Sequence, residues 1–112
     1  MATSIIKGIY TKEQTISTAK GTAKAIRMGN VITFQFSGSN ASYPNGWTDI
    51  GTLDSEFRPS DQTDFLGFDN DASTMVPVTM RIQADGLIRI YKFASQTANM
   101  NVYGICSYLK KG

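Results

Sequence analysis

The stretch Val76-Pro77-Val78-Thr79-Met80-Arg81-Ile82-Gln83-Ala84-Asp85-Gly86-Leu87-Ile88-Arg89-Ile90-Tyr91-Lys92-Phe93 decides the fold class. Val78, Met80 and Ile82 alternate with Thr79, Arg81 and Gln83. Beyond Asp85-Gly86 the alternation resumes, Ile88 and Ile90 against Arg89, Tyr91 and Phe93. A period of two sends successive side chains to opposite faces of an extended chain. Asp-Gly between two such runs is a strong short-range hairpin signal. The stretch therefore predicts strands over 76–84 and 87–93, joined by a tight turn at Asp85-Gly86.

Working outward, the same chemistry recurs. Upstream, Ile32, Phe34 and Phe36 share one face of Val31–Ser37, with Thr33, Gln35 and Ser37 on the other. Gly29-Asn30 joins this run to Thr22–Met28 as a second predicted hairpin. Residues 38–46 read as a loop, Trp47–Leu53 as a short strand, and 54–61, with Arg58-Pro59, as an irregular connection. A strand around Phe65–Phe68 and a polar loop over 69–74 follow. Downstream, a turn over Ser95–Asn99 leads to a last strand over Asn101–Lys110. No window holds a 3.6-residue apolar stripe for three turns, so no helix is expected. Residues 1–13 read as an N-terminal arm or neck remnant, with Ile5-Ile6 and Ile9-Tyr10 packing on a neighbour. Residues 14–112 read as one domain. Short strands at regular spacing predict an all-β antiparallel sandwich or barrel.

The last two strands carry bulky groups on both faces. Val102, Cys106 and Tyr108 oppose Tyr103, Ile105 and Leu109. A strand of a lone two-layer sandwich has one wet face. This pattern points to a covering subunit, although single exposed aromatics also occur without a partner.

Composition removes several classes of function. The chain has 112 residues, 41% of them apolar, and a formal net charge of +2. That suits one globular domain with its own core. The basic residues are scattered, with only Lys110-Lys111 adjacent, and form no stripe of the kind nucleic-acid binders carry. No apolar run approaches the roughly 20 residues of a membrane helix, so no membrane insertion is expected. The N-terminus lacks the basic start and long apolar run of a signal peptide, so synthesis in a cytoplasm is the expectation.

There is no histidine and one cysteine, Cys106. The usual general base, the Ser-His-Asp and Cys-His arrangements, and a zinc site of nitrogen and sulfur ligands within one protomer are all missing. Cys106 lies in an apolar-patterned strand and reads as a small buried thiol. Paired carboxylates could in principle cleave a glycoside, but Asp49, Asp54, Glu56, Asp61, Asp64, Asp69, Asp71 and Asp85 sit mostly in turn-like stretches where Asp is favoured anyway. Asp69-Asn70-Asp71 resembles the start of a calcium loop but lacks its Gly and distal Glu. The expectation is no enzyme, no metal and no cofactor.

In the middle of the chain, Trp47-Thr48-Asp49-Ile50-Gly51-Thr52-Leu53, followed by Phe57-Arg58-Pro59-Ser60, resembles a pattern in C-terminal receptor-binding head modules of phage tail-fibre and baseplate proteins, of the kind found in phages of Gram-positive bacteria. Arg81–Ile88 resembles their strand–Asp-Gly–strand hairpin, and Gly29–Phe34 also fits. The likeness covers about residues 29–93. Asp54 departs from it, standing where the family often has proline. The resemblance implies a jelly-roll-like β-sandwich forming a homotrimer at a virion's tail tip or baseplate. It implies attachment to a host cell-wall or capsular saccharide. The alternative is a structural adaptor that docks other tail or baseplate proteins without touching the host.

A saccharide site combines an aromatic platform with amides, carboxylates or arginine that bond hydroxyls, on loops of a rigid scaffold. The candidates are Tyr43, Asn45 and Trp47 at one loop's end, Asp69, Asn70 and Asp71 in another loop, and Arg89 with Tyr91 on one strand face. Each has a plainer role open to it. Trp47 can be a packing residue, Tyr43 can cover the sandwich's end, and Asp69–Asp71 can be a solvated turn. Arg58 reads as satisfying backbone carbonyls beside Pro59.

Overall fold

The computed structural model describes residues 3–6, 9–70 and 76–111. The elements, in order, are β1 (Thr3–Ile6), β2 (Ile9–Thr18), β3 (Gly21–Met28), β4 (Val31–Gly38), β5 (Ala41–Ser42) and β6 (Gly46–Thr52). A 3-10 turn over Ser55–Phe57 follows, then β7 (Thr63–Asp69), β8 (Val76–Ile82), β9 (Leu87–Lys92), β10 (Asn99–Met100) and β11 (Val102–Leu109). The described chain is all-β, and every strand pair is antiparallel.

Nine strands form one sheet in the order β1-β2-β3-β4-β11-β7-β8-β9-β6; β5 and β10 pair separately. The sheet curls into a half-barrel. Its β6 end comes round to β2, where the Asp54 N–H donates to Gln14 Oε1 (2.9 Å). A Cβ built on Gly51 would meet Ile16 Cγ2 at 3.2 Å. The inside of the curl is the core. Ala23 and Ala25 of β3, Ile32, Phe34 and Phe36 of β4, Val78, Met80 and Ile82 of β8, and Ile88 and Ile90 of β9 are all buried. These are the inward halves of the alternations on which the strand assignments rest. Leu53 and Phe57 close the core at one end, where the Tyr108 hydroxyl donates to the Phe57 carbonyl.

Both predicted hairpins are present, with one difference. Met28 pairs with Val31, so Gly29-Asn30 is a two-residue turn, and Gly29 has φ 61°. In the other hairpin Ile82 pairs with Ile88, and the Gln83 N–H donates to the Leu87 carbonyl. The loop is therefore Ala84-Asp85-Gly86 rather than Asp85-Gly86 alone. The Gly86 N–H donates to the Gln83 carbonyl at φ 89°. This is a three-residue loop whose glycine takes the left-handed position. Asp85 Oδ1 accepts from the Leu87 N–H (3.1 Å), which pins the turn.

The segment expected as an arm is strand in its described part. β1 pairs with β2 from Thr3 opposite Lys12 to Ile6 opposite Ile9. β2 runs on to Thr18 against β3, so the residues on either side of position 13 belong to one continuous strand.

Candidate functional site

Three of the sequence candidates meet on the outer face of β6 and β9. Trp47 lies directly opposite Tyr91, and Asp49 opposite Arg89. A bulge between Asp49 and Gly51 shifts the register. Ile50 follows the two-residue alternation into the core, on the face opposite to Trp47 and Asp49. Tyr91 packs edge-on against Trp47 with centroids 5.0 Å apart, and against Phe93 at 4.8 Å. Phe93 is 52% exposed. The three rings form a continuous aromatic strip.

Two arginines border this strip. Arg81 lies opposite Arg89 across the β8–β9 ladder, and like charges in that position repel. The neighbours offset the repulsion. Arg81 donates to both carboxylate oxygens of Asp64, at 2.7 and 3.2 Å, and Arg89 donates to Asp49 Oδ1 at 2.9 Å. Both guanidiniums also lie over the Trp47 ring, at 4.3 Å for Arg81 and 5.1 Å for Arg89, where the indole's negative π face attracts a cation. The hydrogen bond from Arg81 holds the Asp64 carboxyl below the usual carboxylate range. The result is a band across four strands, Asp64–Arg81–Trp47–Arg89–Asp49, flanked by Tyr91 and Phe93. Every charge in it is paired, and its side chains are fixed by one another.

The remaining candidates do not join the band. Tyr43 is 2% exposed, with its N–H donated to the Ala98 carbonyl and Lys20 Nζ 4.9 Å from its ring centroid. Burial pushes its phenol up to about 12. It covers the end of the half-barrel and presents no ring to solvent. Asn45 is exposed and accepts from Lys92 Nζ (2.7 Å). Asp69 is buried, and its Oδ1 accepts from the Asn101 N–H (3.0 Å). Asn70 is exposed, with its N–H donated to the Asn101 carbonyl. Asp71 lies outside the described residues. Cys106 is half-buried, and burial pushes its thiol up to about 12, far from reactive thiolate chemistry.

Arg81, Asp64, Asp49 and Phe93 complete the site; the sequence offers Asp49 and Asp64 only as carboxylates for glycoside cleavage and marks none of the four as a sugar contact. The signal for Arg81 was present. Once the hairpin register is known, two arginines face each other on the polar face of β8 and β9, and each needs an anion from the strand beyond.

A second surface feature is apolar. On the outer face of β4, β11 and β7, the side chains of Leu66, Phe68, Tyr103 and Ile105 stand exposed, 61% and 64% for Leu66 and Ile105. With Gln35 and Ser37 they line a groove of about 300 Å³. Leu109, Val31 and Met28, also exposed, continue the face beyond Thr33 and Ser107, whose hydroxyls lie 3.3 Å apart.

No known family model matches the chain, and no curated protein matches it.

Proposed function

We propose that this chain is a non-catalytic receptor-binding head of a phage tail or baseplate, and that it holds a host cell-wall or capsular saccharide on the outer face of β6 and β9. The observation that carries this reading is the convergence of Trp47, Arg89 and Tyr91, joined by Phe93 and Arg81, into one pre-formed band. An aromatic strip offers the C–H face of a sugar ring a flat apolar contact. The bordering arginines and carboxylates offer donors and acceptors for hydroxyls. Because the side chains already brace one another, little ordering remains to oppose binding. Asp49 and Asp64 are each held by an arginine and Glu56 by two cations. Carboxylates so paired favour a binding role over acid–base work.

The same reading takes the half-barrel as a jelly-roll-like head that assembles as a homotrimer on the virion. The insertion of β11 between β4 and β7 is the kind of long return connection that such folds use. The uncharged face of Leu66, Phe68, Tyr103, Ile105 and Leu109 supports self-association. Patches beyond roughly 300–600 Å² mark interaction sites on soluble proteins, and this one spans three strands. Three linked bands would turn weak sugar contacts into firm attachment.

The apolar face also favours a second reading, a baseplate adaptor that buries it against another tail protein. One titration separates the two. Trp47 is the sole tryptophan, so its emission reports directly on the band. The head reading expects a saturable emission change with purified host cell-wall polysaccharide, weakened at least several-fold by Arg89→Gln or Tyr91→Ala. An assembly whose Trp47 emission ignores a broad polysaccharide panel would sink the head reading and leave the adaptor.

A further inference from the structure

We propose that a second, independent site for a phosphate-type oxyanion lies at the end of the half-barrel that carries the Gly29-Asn30 and Ala84–Gly86 turns. A cavity of about 340 Å³ there is lined by Ser55, Glu56, Arg58, Lys110 and Lys111. Three of its five lining residues are cations. Among the described residues, none of the three is within ion-pair distance of a carboxylate. Lys12, Lys24, Arg27, Arg81 and Arg89 each have a carboxylate partner, while Lys20 and Lys92 donate to neutral oxygens.

The one acid lining the cavity is already committed. Glu56 Oε1 accepts from the Tyr10 hydroxyl (3.0 Å) and from Arg27 Nη1 (3.3 Å), and Oε2 pairs with Lys12. These partners, Lys12 foremost, hold its carboxyl below the usual range. Lys12 and Arg27 thus offset the Glu56 charge, with Asp54 also acting on Lys12, so the positive field in the cavity comes from Arg58, Lys110 and Lys111.

The arginine is also pre-set for an anion. Arg58 Nε donates to the Leu53 carbonyl (3.1 Å), and its stem packs where a Cβ on Gly86 would meet Arg58 Cγ at 3.1 Å. With Nε fixed to the backbone, the two terminal nitrogens remain as a planar donor pair, the geometry that grips an oxyanion in bidentate fashion. The wall opposite is equally fixed. The Lys111 N–H donates to the Arg58 carbonyl (2.8 Å), the Lys110 N–H to the Asn30 carbonyl (2.8 Å), and Pro59 bridges to Lys110. The Ser55 hydroxyl supplies a further donor. A guanidinium fork, two ammoniums and a hydroxyl around one cavity match a tetrahedral, multiply charged oxyanion.

The test is an amide chemical-shift titration of the whole chain with inorganic phosphate, with ionic strength held constant by chloride. The site predicts saturable shifts centred on Ser55, Arg58, Lys110 and Lys111. Arg58→Lys, which keeps the charge and loses the fork, should weaken binding by about tenfold. Lys110→Gln with Lys111→Gln should do so while retaining the wild-type fold, and Lys24→Gln should change nothing. Linear shifts, shifts reproduced by chloride alone, or an unaltered response in both variants would overturn the proposal. A polyphosphate arm identifies the source of the anion: binding at least tenfold tighter than phosphate supports a charged polymer as the ligand, and equal affinity supports a single free oxyanion. Trp47→Ala should leave all of these responses intact, so failure here and failure of the saccharide reading are separate results.

Discussion

The sharpest structural prediction concerns the seam between β7 and β11. Gly67 and Gly104 both point inward there, and Met80 lies against them. A Cβ at position 104 would sit 2.4 Å from Met80 Sδ and 3.3 Å from Phe65 Cε2. A Cβ at position 67 would sit 2.5 Å from the Tyr103 carbonyl oxygen and 2.7 Å from Met80 Sδ. The two glycines thus differ in what must yield. At 104 the main obstacle is a flexible thioether, whereas at 67 it is backbone. Overpacking of a core costs typically about 1–3 kcal/mol. Gly104→Ala belongs in the lower part of that range and Gly67→Ala at or above its top. Met80→Val, which withdraws the sulfur, should cost about 1–2 kcal/mol alone. In the double variant G104A/M80V the new methyl occupies the space the sulfur leaves, so the combined loss should fall short of the sum by at least about 1 kcal/mol. G67A/M80V should show far less rescue, because the Tyr103 carbonyl remains in the way. Urea unfolding followed by Trp47 emission measures all five proteins, with midpoints shifting at constant slope. A neutral Gly104→Ala, or a G104A/M80V loss additive to within about 0.3–0.5 kcal/mol, would refute this account of the seam.

Other outcomes follow from the polar and exposed groups. Lys92 is 5% exposed and donates to Asn45 Oδ1 and, at 3.2 Å, to the Phe93 carbonyl. Asn45→Ala strips a partner from a buried ammonium and should cost about 1–3 kcal/mol in chemical unfolding. Lys92→Met should cost less, because Asn45 is exposed and can turn to water. Equal losses would count against that reasoning. Burial pushes Cys106 and Tyr43 up to about 12 and Tyr108 upward as well. The folded state therefore keeps protons that the unfolded chain begins to release near pH 8.5–10. Stability should hold below that window and fall as pH rises towards 12. Tyr108→Phe should flatten the decline, and a pH-independent midpoint between 8 and 11 would show the burial effect to be absent. On the apolar face, Ile105→Lys should leave unfolding within about 0.5 kcal/mol of wild type, as expected for an exposed site, yet shift light scattering to a smaller species. An unchanged assembly would mean that this face is not the one covered.

Much of the sheet was legible because its strands alternate cleanly. The inward rows Ile32-Phe34-Phe36 and Val78-Met80-Ile82 can be read from the sequence without any partner strand. β2 was less legible. Its row Thr11-Lys12-Glu13-Gln14-Thr15-Ile16-Ser17-Thr18 is mostly polar, and only Ile16 packs against the core. A strand at a curled sheet's margin needs few apolar residues, since its ladder with β3 satisfies half of its backbone groups and the other half face outward. The loop at Asp85-Gly86 is one residue longer than the sequence suggests, because Asp-Gly serves both two- and three-residue hairpins. Of the candidate site, Trp47, Arg89 and Tyr91 were legible as exposed-face residues, but their convergence depends on the β6–β9 register, which a long connection sets. Tyr43 and Asp69 misled for a physical reason. Tyr43, between β5 and β6, and Asp69, the last residue of β7, are both buried, and composition alone cannot tell such positions from free loop residues.

The three surfaces lie on different parts of one rigid sheet, and that separation has a consequence. The aromatic band occupies the outer face from β7 to β6, the apolar groove the outer face from β4 to β7, and the basic cavity an end. Asp64, Leu66 and Phe68 alternate along β7 on the same face, so β7 is the border where the band and the groove meet. Copies joined through the groove would bring each β7 to the interface and place its Asp64–Arg81 pair near the seam. The partially exposed pair would lose water there and strengthen, since screening falls as solvent leaves. The cations over Trp47 would then be held more tightly in the assembly than in a lone chain. Association and the rigidity of the band would be coupled through Arg81, without any strand having to move.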